Sequence, residues 1–259
     1  MKIKVIGCSG AEMPDFHPPA FLIDAEILLD AGTIASVLKE NAQKKITHIL
    51  ITHTHLDHIR GIPALIDNML LKQRQHQITV VATEEILNTL RKNIFNGSIW
   101  PDFTNIPSPL HPGIKLRPIE QGKIFKLNGY SVIAEKVTHS VPAVGYIIKN
   151  LKGRTLLYTG DTGQTINLWE RANTLSQKNP IDAVIIEVTL PNNMREVAIR
   201  TGHLTPEMFS HELKKLRRLP KRIFITHSKP QFSDIILSEL RSLKIKQITI
   251  LKEGKTYVI

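Results

Sequence analysis

The stretch ILITHTHLDHIRGIP, residues Ile49–Pro63, sets four possible metal ligands, His53, His55, Asp57 and His58, within six residues. They follow Ile46–Thr52, mostly β-branched and leucine residues, which read as a buried strand. Side chains two apart in extended backbone point the same way, so His53 and His55 can reach one metal together. Gly61 and Pro63 then require a turn, and Pro63 suits the first turn of a helix. Asp57 and His58 fall on that turn and can face a second metal beside the first. Imidazole nitrogens and a carboxylate oxygen, with no thiolate, suit zinc or manganese.

The 259 residues are ample for one large core or two closely fused halves, and we read residues 1–259 as a single domain. No apolar run reaches the roughly 18–20 residues of a membrane span. The N-terminal MKIKVIGCSG has no signal-length apolar stretch and reads as the first strand. The single cysteine, Cys8, cannot form an internal disulfide, which agrees with a cytoplasmic location, and reads as a small buried apolar residue. The net charge of +11 suits a phosphate-bearing substrate or RNA, or serves solubility alone. The basic residues are spread out, and the short cluster Lys214–Arg218 reads as a solvated helix face.

Alternation at Met1–Gly7, and apolar or β-branched runs elsewhere, predict strands at Met1–Gly7, Ala20–Asp24, Ile27–Asp30, Ile78–Ala82, Ile124–Leu127, Tyr130–Val137, Ala143–Lys149, Arg154–Thr159, Ile181–Glu187, Lys221–Thr226, Ile245–Leu251 and Thr256–Ile259, with Ile181–Glu187 read as a buried strand. Helical spacing covers Ile34–Asn41, Ala64–Gln73, Glu84–Lys92, Ile166–Gln177, Pro206–Leu216 and Ser233–Leu243, with Thr83 and Thr205 as caps. A segment from Phe95 to Phe103 carries Asn96, Trp100 and Phe103. These residues either contact a base or ribose, or form a small satellite core beneath a loop. Both halves supply strands first and helices later, which predicts two sheets packed face to face with helices outside.

His139, Asp161, Glu187 and His227 each stand where an apolar strand ends, as a preorganised site requires. HTHLDH, together with Thr138-His139, Tyr158–Thr162 and Thr226-His227, resembles the ligand motifs of the metallo-β-lactamase superfamily, in order along the whole chain. The resemblance implies an α/β fold, the αββα sandwich of two mixed β-sheets. It also implies that His53, His55 and His139 hold one metal and that Asp57, His58 and His227 hold the other. Asp161 would bridge the two.

Leu56, Asn96 with Ile99–Phe103, Ile186–Thr189, Gly202–Pro206 and Ile225–Pro230 are similar to class II 3′,5′-cyclic-nucleotide phosphodiesterases, and Pro63 departs from that signature. The implied activity is hydrolysis of cyclic AMP or cyclic GMP to the 5′-monophosphate. Two divalent ions, zinc with manganese or iron as alternatives, would share a water and lower its pKa. His203, oriented by Glu187, is the candidate general acid; its rival roles are a phosphate-oxygen donor or a histidine at a helix start. Asp57 joins His203 and Glu187 in the expected catalytic set. Lys229 is a phosphate contact or a surface lysine. Two other readings remain at this stage, an RNA-processing enzyme similar to tRNase Z and a metal-bearing sensor without turnover. Homodimerisation is also open.

Overall fold

In the computed structural model, which describes residues 1–70, 77–177 and 180–259, the chain builds the same plan twice. Strands β1 (Lys2–Gly7), β2 (Ala20–Ile23) and β3 (Ile27–Leu29) form an antiparallel meander. After α1 (Glu40–Gln43), β4 (His48–Leu50) adds parallel to β3. Helices α2 (Leu56–Ile59) and α3 (Gly61–Leu70) lead to β5 (Ile78–Thr83), which is parallel to β4 and followed by α4 (Glu84–Asn93). A small hairpin of β6 (Pro107–Ser108) and β7 (His111–Pro112) precedes β8 (Ile114–Ile119), parallel to β5.

The second half begins with β9 (Ile124–Leu127), β10 (Tyr130–Lys136), β11 (Val144–Lys149) and β12 (Thr155–Tyr158), all antiparallel. Then come α5 (Asn167–Leu175), β13 (Ala183–Glu187), α6 (Arg195–Thr201), α7 (Pro206–Lys214), β14 (Arg222–Thr226), α8 (Ser233–Ser242) and β15 (Ile248–Ile250). From β12 to β15 the pairing is parallel. The last strand, β16 (Thr256–Val258), returns to pair with β1. The two main sheets therefore run β16-β1-β2-β3-β4-β5-β8 and β15-β14-β13-β12-β11-β10-β9.

Burial along β13 shows the layering. Ala183 and Ile185 join the core shared with the first sheet, including Phe21, Leu28 and Ile49. Val184 and Ile186 point the other way, into a cluster with Trp169, Phe209 and Ile236 from the outer helices. A strand covered on both faces must be apolar at every position, which is why this one reads as a continuous run. The expected αββα sandwich is the observed fold.

Several boundaries differ from expectation. The helix expected at Ile34–Asn41 is a single turn closed by Val37 and Leu38 N–H groups on the Ile34 carbonyl, and the helix proper starts at Glu40. Residues 71–73 of the expected Ala64–Gln73 helix lie outside the described residues. Thr83 takes the capping position without a side-chain cap bond, whereas Thr205 accepts from the Met208 N–H as expected. Helix α6 was not foreseen, because its apolar residues Val197 and Ile199 are exposed and Ala198 alone is buried, so no stripe marks it. Cys8 is half-buried rather than fully buried. Its thiol is pushed up to about 12, first by burial and then by the Glu253 charge.

Candidate metal centre

All the expected ligands follow the carboxyl ends of strands, where open parallel sheets collect their ligands. After β4, Ile51 still bonds to the Val81 carbonyl, and His53 is the first site residue beyond that pairing. His55 takes the capping position of α2, which carries Asp57 and His58 in its single turn. This turn packs tightly on the loop after β3. Ala31 N–H donates to the His58 carbonyl at 2.7 Å, and a Cβ at Gly32 would lie 1.9 Å from the Asp57 carbonyl oxygen. Only glycine fits there.

The rings of His53, His55 and His139 lie within 4.9 Å of one another, centroid to centroid. The His139 Nε2 is 3.2 Å from His55 Nδ1, while its own Nδ1 is held by the Gly202 carbonyl at 2.8 Å. Gly202, at φ 71°, stands where a Cβ would come within 2.9 Å of the His139 Cα. In a second group, Asp161 Oδ2 lies 3.3 Å from His58 Nε2 and 3.2 Å from His227 Nε2. Asp57 Oδ2 is 3.3 Å from His227 Nε2. The same Asp161 oxygen is 3.8 Å from His53 Nε2, so this carboxylate faces both groups.

Burial holds His53, His55 and His139 below the usual histidine range, reinforced by neighbouring imidazoles, His58 for His53 and His139 for His55. Neutral imidazole is the form that binds a metal. His58 is pushed the other way: burial lowers it, and the Asp161 and Asp30 carboxylates outweigh that. Burial also raises Asp57, yet the His227 hydrogen bond and the His58 and His227 charges bring it down to about 2.

The Nε2 atoms of His53 and His58 are buried and have no hydrogen-bond partner among the described residues. Buried nitrogens without partners are costly unless something binds them. His53, His55 and His139, and separately Asp57, His58, Asp161 and His227, converge closely enough to hold divalent cations. The donor set fits such ions: imidazole and carboxylate, with no sulfur.

Three residues to which the sequence assigned no role support the site. Asp30, fully buried, accepts from the Thr52 N–H and hydroxyl, from His58 Nδ1 at 2.8 Å and from the Tyr158 hydroxyl at 2.6 Å. Thr189 hydrogen-bonds His227 Nδ1 at 2.9 Å and donates to Glu187 Oε2. Tyr158 links the two sheets through its bond to Asp30. Asp30 ends a strand, the same signal that marked the ligands.

Glu187 is fully buried and accepts from Thr162 N–H, Leu204 N–H, the Thr189 hydroxyl and His203 Nδ1 at 2.8 Å. Burial lowers the His203 pKa, but the Glu187 charge and hydrogen bond lift it to about 9. The His203 ring stacks on His227 at 5.4 Å and meets the His139 ring at 5.1 Å. It therefore sits against both groups.

Of Asn96, Trp100 and Phe103, Phe103 calls for a correction. Phe103 is 4% exposed and packs on Phe95, so its ring has no face for a base. The Asn96 side chain is spent on its own turn, bonding the Lys92 carbonyl and the Ser98 and Ile99 N–H groups. Trp100 packs against the shared core. Phe95 and Phe103 belong to that shared core, so the segment extends the main core and forms no satellite of its own. Lys229 is half-buried and donates to the Gly10 carbonyl at 2.6 Å, tying the first loop to the site.

A sandwich of two mixed sheets with histidines and aspartates gathered at its strand ends defines a metal-binding αββα architecture. The family model described as Beta-lactamase superfamily domain matches residues 21–228, and the chain belongs to that superfamily. The chain is 26% identical over 226 residues to a "Probable 3′,5′-cyclic-nucleotide phosphodiesterase" of Yersinia pestis, covering 77% of this chain and 63% of that protein. It is 31% identical over 160 residues to a Ribonuclease Z of Methanococcus maripaludis, covering 59% of this chain and 49% of that one. The chain thus spans about half to two thirds of the length of these relatives. Its fold superposes on unliganded yeast PDE1 with a TM-score of 0.83 at 20% identity, covering 98% of both chains. Among the described residues, no helix is long and apolar enough to cross a membrane.

Proposed function

We propose that this protein is a metal-dependent phosphodiesterase that hydrolyses 3′,5′-cyclic nucleotides, cyclic AMP or cyclic GMP, to nucleoside 5′-monophosphates. The observation that carries the reading is the Glu187–His203 pair set against both ligand groups, since a site that only stores metal needs no proton donor. His53, His55 and His139 would hold one ion and Asp57, His58 and His227 the other, with Asp161 shared. Zinc is the favoured ion for so many imidazoles, with manganese or iron able to replace it. When bound, such ions offset phosphate charge and make water acidic enough to attack near neutral pH.

The protein's own residues do the rest. Asp30, Thr189 and the Gly202 carbonyl fix the rings of His58, His227 and His139 through their Nδ1 atoms, which aims each Nε2 into the site. Glu187 fixes the tautomer of His203 through Nδ1 and favours its charged form, leaving Nε2 as the proton donor. That proton goes to the 3′ oxygen as the P–O bond breaks, so no free alkoxide has to leave. The single cysteine and a nucleotide substrate favour a cytoplasmic location.

His203→Ala should lower turnover by about 10²–10⁴-fold, the usual scale of general-acid loss, with metal content unchanged. Loss of bound metal in the same variant would show that His203 is a ligand instead. A second reading, RNA 3′ processing, is favoured by the likeness to a protein named Ribonuclease Z and by the +11 charge. Cleavage of a precursor-tRNA 3′ trailer would select it.

A further inference from the structure

His139 lines a second feature besides the ligand cluster, an open cleft of about 790 Å³. Its other walls come from the β8–β9 turn with Gln121, the end of β10 with Lys136, and the segment before α5 with Gln164, Ile166 and Asn167. The volume falls within the range of small-molecule sites.

The walls are held in place by buried charges. Glu212, fully buried, accepts from the Thr165 N–H at 3.0 Å and from the Trp169 indole at 2.7 Å, and pairs with Lys215 at 2.6 Å. Lys215 also donates to the Thr165 carbonyl. On the facing wall, Arg171 joins Glu135 at 2.6 Å and the Gly122 carbonyl at 3.3 Å, fixing the turn that carries Gln121. Between these anchors, the side chains of Gln121, Gln164 and Asn167 are exposed and have no hydrogen bond to the described residues. Ile166 is 63% exposed beside them.

Free amides on a fixed frame, next to an apolar surface, match a flat heterocycle with donors and acceptors on its edge. Asn and Gln pair bidentately with the N6 and N7 positions of adenine. The cleft carries one carboxylate, Glu85, and one ammonium, Lys136, so it has no net charge to draw the phosphate away from the cluster.

We propose that this cleft is the nucleoside subsite, with Gln121, Gln164 and Asn167 reading the edge of a purine base and Ile166 covering its face. The proposal rests on the phosphodiesterase reading of the cluster, and the test separates the two. Adenosine, which lacks a phosphate, and ribose 5-phosphate, which lacks a base, are titrated by calorimetry into the full chain and its Gln121→Ala and Gln164→Ala variants. Cyclic AMP kinetics are run in parallel. Adenosine should bind the wild type, and the variants should weaken it on the order of tenfold while ribose 5-phosphate binding stays the same. The KM for cyclic AMP should rise by a similar factor. No adenosine binding, or binding unchanged in both variants, overturns the subsite even if cyclic AMP is hydrolysed. Adenosine binding that weakens in the variants of a protein that hydrolyses no cyclic nucleotide supports the subsite and rejects the phosphodiesterase reading.

Discussion

His227 adopts φ 64°, a left-handed conformation that is costly for a residue with a Cβ. Its N–H bonds the Cys8 carbonyl at 2.7 Å, and Thr189 holds its ring, so strain is accepted where the candidate ligand's ring is aimed into the site. Asp30, itself left-handed at φ 53°, does the same for His58. Asp30→Ala should weaken metal binding by about 10–100-fold, read as a rise in the metal dissociation constant, while His58 itself remains in place. Unchanged affinity would show that Asp30 serves packing alone. At this scale the candidate ligands, which the fold brings together, were legible because their chemistry is dense in HTHLDH and recurs at strand ends. Asp30 and Thr189 were not, because their partners lie 28 and 38 residues away and only the fold brings them together. Phe103 was misplaced for the opposite reason: an aromatic on a loop looks available until the core beneath it is known.

Among the elements, the segment entering α5 depends on one buried carboxylate. Glu212→Ala would leave the Trp169 indole and the Thr165 N–H without acceptors and Lys215 without its ion pair. It should cost about 2–4 kcal/mol of stability in denaturant unfolding. A loss under about 0.5 kcal/mol, the usual surface value, would contradict the anchoring role. Asp182 joins the start of β12 to β14 through Arg154, the Thr155 N–H and Lys221. Burial raises its pKa, but the Lys221, Thr155 and Arg154 bonds hold it below the ordinary 3.8. A carboxylate with a lowered folded pKa contributes above its unfolded value and loses that contribution as pH falls through the folded one. The Tm deficit of Asp182→Asn should therefore be full at pH 7 and shrink below about pH 4. A deficit that does not change with pH would assign Asp182 a purely steric role. Strands were readable at this scale because alternation and continuous burial leave distinct patterns, as in β13. Helix α6 left no pattern because it turns Val197 and Ile199 to solvent.

For the whole molecule, each half runs from antiparallel to parallel strands, and the site collects candidate ligands from both: His53, His55, Asp57 and His58 from the first, His139, Asp161 and His227 from the second. Such a site forms only when the sheets pack, which makes the core and the chemistry interdependent. The sandwich could be read from strands preceding helices in both halves and from motif order. The cleft beside His139 could not, because it joins the N-terminus of α4, the β8–β9 turn and the approach to α5, which are far apart in sequence. The net charge of +11 leaves RNA as the competing substrate. The most direct test supplies the zinc- or manganese-loaded protein with cyclic AMP, cyclic GMP and a precursor tRNA in parallel and follows the products by chromatography. The account predicts conversion of a cyclic nucleotide to its 5′-monophosphate, with the tRNA left intact. Release of the tRNA 3′ trailer with no turnover of either cyclic nucleotide would contradict it.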